Sequence, residues 1–290
     1  MILSMTGYGK AKAQIEGGCL SIEIRSLNAK GADISIKSSL LPKEKDLPVR
    51  KKIAERLIRG TIDVYLSWEA DAASAAPKID TAALKAGLEQ LEALVPGADA
   101  AARATLTAAL MRLPELNQSR SSELISEQDW PIVEAAIDEA LDQLVAYRET
   151  EGKALYKDVT SRVGNILKLY DEIEALEPER IETVKQRLNS ALEELAAKPD
   201  ASRFEQELIF YLEKYDINEE KVRLRQHCRY FMETIDGEAY PGKKLGFIIQ
   251  EMGREINTTG SKANHAGIQQ RVVKMKDELE KIREQSLNIL

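Results

Sequence analysis

From Trp130 to Pro178 the apolar residues keep a single helical rhythm. Ile132, Ala136, Ala140, Leu144 and Tyr147 follow at spacings of four, four, four and three, and the pattern runs through Glu151-Gly152 to Leu155, Val159, Val163, Ile166, Leu169 and Ile173. Side chains three and four apart share one face of a helix, so the stretch predicts one continuous helix closed at Pro178. Helices of compact domains average about three or four turns. One this long does not fit a small core, and it suggests an arm that reaches another subunit. The remaining segments must be disposed on either side of it.

On the N-terminal side, Leu20, Ile22 and Ile24 alternate with Ser21, Glu23 and Arg25, the period of a strand with one buried face. Gly17-Gly18 before them suits a hairpin turn. Ile34 and Ile36 alternate next, and Pro42 breaks the run. Val49, Ile53, Leu57 and Ile58 are spaced as a helix that opens near Pro48 and ends at Gly60. Ile62, Val64, Leu66 and Trp68 alternate as a last strand. The order is β-β-β-α-β over residues 1–70, a small domain with its helix on one sheet face. Lys10, Lys12, Arg25, Lys37, Lys52, Arg56 and their neighbours make it locally basic, either as solvated surface or as a patch that guides phosphate. Residues 71–128 read as a connector: an Ala-rich start, a helical run through Leu84, Leu88, Leu91 and Leu94 ended by Pro96-Gly97, a short helix about Leu106 to Met111, and a polar loop through Asn117, Gln118 and Ser121. The arm occupies 129–200, with a second helical run over 180–197, and a C-terminal helical region occupies 201–290. The fold class expected is α+β, a β-rich domain followed by a larger all-helical part.

The chain has 290 residues, 43% of them hydrophobic, which suffices for a proper core. It carries no P-loop, dinucleotide or H-E-x-x-H motif. Cys19 and Cys228 are distant and lack C-x-x-C spacing, so neither a zinc ribbon nor a disulfide framework is suggested and a reducing cytoplasm fits. The first residues lack a signal-peptide pattern and no apolar run approaches the roughly 20 residues of a membrane span. A cytoplasmic protein without membrane contact is therefore expected. The net charge of −7 argues against a nucleic-acid binder unless basic surface is local or built by subunit assembly.

The C-terminal region is where polar residues fall into lines. Asp216, Glu220, Arg223 and His227 are spaced four, three and four on one predicted helix. On the next, Glu251, Glu255, Thr258 and Lys262 form one line and Gln250, Arg254, Asn257 and Ser261 an adjacent one, opposite an apolar face of Leu245, Ile248, Ile249, Met252 and Ile256. Asp216 with Glu219 has the spacing of a capping box. Glu220, Glu251 and Glu255 are candidate oxygen ligands for a hard divalent cation, against the alternative that they are solvated or paired with Arg223, Arg254 and Lys262. His227 is a candidate base, Mn²⁺ ligand or proton donor, whereas His265 reads as surface or a helix cap. Arg223, Arg254, Lys262 and Arg283 suit phosphate, and Gln250, Asn257, Ser261 and Gln285 suit ribose hydroxyls or the orientation of carboxylates. In the last helix Ile268, Val272, Met275, Leu279, Ile282, Ser286 and Ile289 form a four-three seam, ready to pack on a helix of this or a neighbouring chain.

Ser4-Met5-Thr6-Gly7-Tyr8-Gly9, Arg59-Gly60, Arg148-Glu149-Thr150-Glu151-Gly152, Gln250-Glu251-Met252, Arg254-Glu255, Asn257-Thr258, Gly260-Ser261-Lys262 and Arg283-Glu284-Gln285 together resemble the YicC/YloC family of bacterial endoribonucleases, over essentially the whole chain. One departure stands out: where many members read Val-Asn-His-Arg, this chain reads Leu27-Asn28-Ala29-Lys30. The resemblance implies an endoribonuclease acting on RNA, a ring-like homo-oligomer, expected to be a hexamer, and a requirement for Mn²⁺ or a similar divalent ion such as Mg²⁺. On that reading Glu251 and Glu255, with Glu220 or His227, hold a cation that polarises the phosphate of single-stranded or loop RNA and activates water. Arg223, Arg254 and Lys262 offset the developing charge. The rival readings are metal-free transesterification with His227 as base, an RNA-binding adaptor that delivers transcripts to another nuclease, and a helical scaffold.

Overall fold

The computed structural model describes residues 2–71, 81–94, 97, 99–111, 124–194 and 201–290. The expected α+β class is what it contains, divided into two units, Gly7–Ala146 and Met1–Thr6 with Tyr147–Leu290. The polar loop read at Asn117, Gln118 and Ser121 lies outside the described residues.

In the first unit β1 (Gly7–Ile15) and β2 (Gly18–Leu27) form an antiparallel hairpin whose turn residue Gly17 has φ 89°, a left-handed conformation that glycine adopts without steric cost. β3 (Ala32–Ile36), α1 (Lys43–Leu57) and β4 (Gly60–Ala70) then make a parallel crossover, giving the sheet order β1-β2-β4-β3. The alternation read from the sequence sets the register, with Leu20 opposite Trp68, Ile22 opposite Leu66 and Ile24 opposite Val64. One sheet face is buried: Ala11, Ala13, Leu20, Ile22, Ile24, Ile62 and Val64 pack with Val49, Ile53 and Leu57 of α1 and with Val133, Ile137, Leu141 and Leu144.

Helix α1 opens a turn earlier than its proline suggested. It begins at Lys43 after Pro42, so Pro48 sits inside it. A proline here removes its own N–H bond and crowds the Glu44 carbonyl, a cost offset by Glu44 and Asp46, which favour the helix start, and by Arg50, whose Nε donates to Asp46 at 2.6 Å. The basic residues of α1 face acidic ones: Lys52 Nζ lies 2.7 Å from Glu134 and 3.0 Å from Asp138, and Arg56 pairs with Asp142. Much of the local positive charge is thus spent within the unit. α2 (Thr81–Leu94) and α3 (Ala100–Leu110) follow, the latter starting earlier than the expected Leu106 because Asp99 caps it by accepting from the Ala102 N–H at 2.8 Å.

The long helix α4 spans Trp130–Glu194, 65 residues, and does not stop at Pro178. The turn beyond the proline is anchored from outside the helix, since Arg180 donates Nη1 to the Tyr215 carbonyl at 2.6 Å. Its apolar face is buried within this chain: Leu155, Val159, Val163, Ile166, Tyr170 and Ile173 belong to the core of the second unit. Up to Ile173 that face needs no other subunit.

The second unit adds α5 (Ala201–Lys214), α6 (Asn218–Gly237), α7 (Gly242–Lys262) and α8 (Ala266–Ser286). Every member of the predicted α8 seam is buried in the unit's own core or at its edge, from Ile268 to Ile289. Both ends of the chain are tied in. Ser4 bridges Ile289, Leu290 N–H donates to the Leu3 carbonyl at 2.9 Å, and Ser4 N–H donates to the Arg148 carbonyl at 3.0 Å. Thr6 donates to Glu151 at 2.5 Å and Arg148, fully buried, donates to the Met5 carbonyl at 3.0 Å. Burial lowers the Arg148 guanidinium to about 10. Gly152 is required by space, because a Cβ there would stand 2.2 Å from the Ile2 carbonyl oxygen. The sequence blocks around Ser4, Arg148 and Gln285 therefore meet in one structural junction.

Candidate active site

Helices α6 and α7 are joined by a short turn through Pro241, and the ends remote from that turn are locked together. Lys262 Nζ lies 2.9 Å from Glu220 Oε1. Two helices tied at both ends run side by side, so positions can be matched along them. His227 is seven residues beyond Glu220, and Glu255 is seven residues before Lys262. Seven residues are two helical turns, a rise of about 10 Å, so His227 and Glu255 occupy the same level and the same facing sides of the seam. The flank of α7 around Gly260 faces α8 instead, where Val272 would touch an added Cβ at 3.0 Å.

The charges in the seam are buried. Glu220 and Glu255 are 4% and 5% exposed, a rare state for glutamate without a partner. Glu220 has Lys262 on one oxygen, and its Oε2 is enclosed with no hydrogen-bond partner among the described residues. His227 is half-buried. Tyr170 of α4 closes the floor, its hydroxyl 3.2 Å from Thr259 Oγ1 and 3.4 Å from the Ile217 carbonyl. Burial pushes its phenol up to about 12, so it acts as a neutral hydroxyl. Cys228 is likewise pushed up to about 12 by burial, which leaves an inert thiol. On the outer side of α4, Lys221 reaches Glu174 at 2.8 Å, and Arg225 reaches Asp171 at 2.6 Å and Glu174 at 3.0 Å. Lys221, through its hydrogen bond, holds the Glu174 carboxyl below the usual range.

The structure separates the candidates into two groups. Glu220 and Lys262 are joined across the seam, and helical spacing sets His227 and the buried Glu255 two turns further along it. Glu251, with its side chain 48% exposed, and Arg254, 75% exposed, stand outside it and lie 3.9 Å from each other. Gln250, Asn257 and Ser261 are exposed on the same outer side of α7. Arg223 is exposed and 2.5 Å from Glu219, and Arg283 of α8 is 2.9 Å from Glu280. Gln285 is half-buried. The counter-charge that the structure gives Glu220 is Lys262. Among the described residues no three His, Cys, Asp or Glu side chains converge as metal ligands.

Two local expectations change. The capping box is not formed: α6 starts after Ile217, Asp216 Oδ1 accepts from the Asn218 N–H at 3.1 Å, and Glu219 turns to Arg223. A carboxylate two residues before the helix reaches the first free N–H before the third. His265 does cap α8, its Nδ1 accepting from the Ile268 N–H at 3.4 Å. Sequence reasoning passed over the cavity that Lys262 lines from its other side, together with Arg180, Arg187, Tyr211 and Tyr215. A signal for it was present. Phe210, Tyr211 and Tyr215 crowd three rings into six residues of a chain only 5% aromatic.

Fold and seam together define an α+β protein of two units, one a mixed sheet under helices and the other a helical unit with charge buried between two helices. The chain belongs to the YicC-like family: residues 2–157 match its description "Endoribonuclease YicC-like, N-terminal region" and residues 173–290 match "Endoribonuclease YicC-like, C-terminal". It is 30% identical, over the full length of both chains, to a protein of Clostridioides difficile (strain 630) named "Probable endoribonuclease YicC". It is 26% identical, again over both full lengths, to a protein of that name from Haemophilus influenzae (strain ATCC 51907 / DSM 11121 / KW20 / Rd). No helix among the described residues is long and apolar enough to cross a membrane.

Proposed function

We propose that this protein is an endoribonuclease whose cleavage chemistry resides in the α6/α7 seam. The reading rests on its family and on one observation: two buried carboxylates, Glu220 and Glu255, of which the first is paired with Lys262. A buried charge persists where it is paired or useful, and Glu255 has no ion pair among the described residues. RNA would lie along the exposed outer side of α7, where Arg254 receives phosphate and Gln250, Asn257 and Ser261 receive ribose hydroxyls, with the exposed Arg223 of α6 as a further phosphate contact. Lys262 would bear on the phosphate being cleaved and offset the charge that develops on it. Glu255 and His227 would take and return the protons of that step.

Divalent-ion dependence belongs to the same proposal in a restricted form. The donor set does not suit a closed site of three or more protein ligands, but Mg²⁺-type ions are commonly held by one or two carboxylates together with substrate phosphates. In that form of the reaction Glu255 and His227 would hold Mn²⁺ or Mg²⁺ instead of moving protons themselves, and the ion would supply charge neutralisation and a more acidic water. Transesterification through the ribose 2′-hydroxyl with His227 as base is the second reading, favoured by the lack of a three-ligand cluster among the described residues. The working form is proposed to be a homo-oligomer, a hexamer by family resemblance, which would gather exposed arginines from several copies of a chain with net charge −7.

The test is cleavage of a labelled single-stranded RNA with and without chelator, with the product ends identified. Chelator should abolish cleavage and Mn²⁺ restore it, with 5′-phosphate or 3′-phosphate ends, while Mn²⁺ alone should leave the melting temperature of RNA-free protein unchanged. Full activity in chelator with 2′,3′-cyclic ends would replace hydrolysis by the His227 reading. A protein that binds RNA and never cuts it would be an adaptor.

A further inference from the structure

Beside the seam lies a cavity of about 200 Å³ walled by three elements of the helical unit. Arg180 and Arg187 come from α4, Tyr211 from α5 and Tyr215 from the turn after it, and Lys262 and Asn264 from the end of α7. Three cations line it and, among the described residues, no carboxylate does, in a protein whose net charge is −7. Arg180 is 7% exposed; one Nη donates to the Tyr215 carbonyl, the other is 3.8 Å from Glu177, and its buried Nε has no partner among the described residues. An enclosed guanidinium with an unused donor is costly unless something accepts from it. The rings of Tyr211 and Tyr215 are stacked, 6.1 Å between centroids and 11° from parallel.

We propose that this cavity is a subsite for one unstacked nucleotide of single-stranded RNA, its base received against Tyr211 and Tyr215 and its phosphate against Arg180, Arg187 and Lys262. Flat aromatic rings accept any base, which is how single strands are held without reading sequence. Guanidinium forks match phosphate oxygens in pairs, and the lysine adds a point charge. A volume below that of pockets for drug-sized ligands suits one base rather than a folded element. The proposal rests on the endoribonuclease reading at one point, Lys262, which lines the cavity and also neutralises Glu220. A phosphate in the cavity would compete with Glu220 for the lysine, so a nucleotide seated there bears directly on the seam.

The experiment titrates the full-length protein with uridine 5′-monophosphate, uridine and inorganic phosphate, followed by calorimetry or ligand-observed NMR, and repeats it with an uncleavable 2′-O-methyl oligoribonucleotide as competitor. The nucleotide is expected to bind at least ~10-fold more tightly than either fragment, since both halves of the cavity contribute. Arg187→Glu, at an exposed position, should weaken it by at least ~10-fold, and Tyr211→Ala by about 10-fold while Tyr211→Phe restores binding. The oligomer should displace the nucleotide. Binding that is absent at millimolar nucleotide, or indifferent to Arg187→Glu in a folded variant, overturns the subsite. Failure of the oligomer to displace the nucleotide overturns it too, and would mark a separate site for free nucleotides. Nucleotide binding does not need turnover: its loss with cleavage intact removes only the subsite, whereas intact binding in a protein that cuts no RNA removes only the nuclease reading.

Discussion

The two units handle charge in opposite ways. In the sheet unit, Lys52 and Arg56 of α1 meet Glu134, Asp138 and Asp142 of α4 on a partly exposed surface, and among the described residues no charged side chain is buried. In the helical unit, carboxylates go inside: Glu220 and Glu255 are buried, and a lysine, Lys262, answers the first. Surface pairs contribute little, with a median of about 0–1 kcal/mol, and their arrangement follows from two helices packing side by side. Removing carboxylates from water is expensive, and no packing requirement explains it. The contrast, more than the distribution of basic residues, is what supports the proposed place of the chemistry.

The largest expected effect tests that contrast directly. Lys262→Met strands the Glu220 carboxylate, whose second oxygen already lacks a partner, and should cost about 3 kcal/mol in denaturant melts. Lys52→Met should cost no more than about 1 kcal/mol. Equal losses would mean that the seam is an ordinary ion pair. Next, Glu255→Gln should slow RNA cleavage by about 100-fold at nearly unchanged melting temperature, whereas Glu251→Gln, on the exposed side, should slow it by less than about 10-fold. The reverse order in a kinetic comparison would move the chemistry out of the seam to the face of α7. The smallest effect concerns Tyr170. Its phenol is raised to about 12, so the stability it carries is complete below the ordinary tyrosine value of about 10 and is lost as pH climbs toward 12. Between pH 9 and 11 the natural protein should lose about 1 kcal/mol more than Tyr170→Phe. Parallel pH profiles would show that the floor of the seam is open to water.

Periodicity carried the sequence reading wherever one face of an element is buried in the chain's own core. The alternation at Leu20–Ile24 and Ile62–Leu66, the apolar face of α7 and the seam of α8 are burial patterns, and burial is what these elements share with their neighbours. The site was legible only as a set of residues. Glu251 and Glu255 are one helical turn apart on a single line, yet one is half-exposed and the other enclosed. No pattern within one helix records where its neighbour ends. The passage through Pro178 and the opening of α1 before Pro48 have the same origin: a proline forbids one bond, and contacts distant in sequence decide whether the helix continues. The cavity of Arg180, Tyr211 and Lys262 draws on three helices, so its members fall on no common period.

The junction between the ends of the chain has a consequence for when the protein becomes competent. The core of the helical unit includes Ile2 and Ile289, and Leu290 donates back to Leu3. The sheet unit is built from 7–146 alone, so during synthesis it can fold while the ribosome is still adding the rest, as N-terminal domains generally do. The helical unit must instead keep a handful of early residues in waiting until the last ones emerge. Closing so long a loop adds little free energy, because the cost grows only with the logarithm of length, but it makes completion late. A polypeptide whose residues around Ile289 have yet to emerge would carry a finished sheet and an unfinished helical unit.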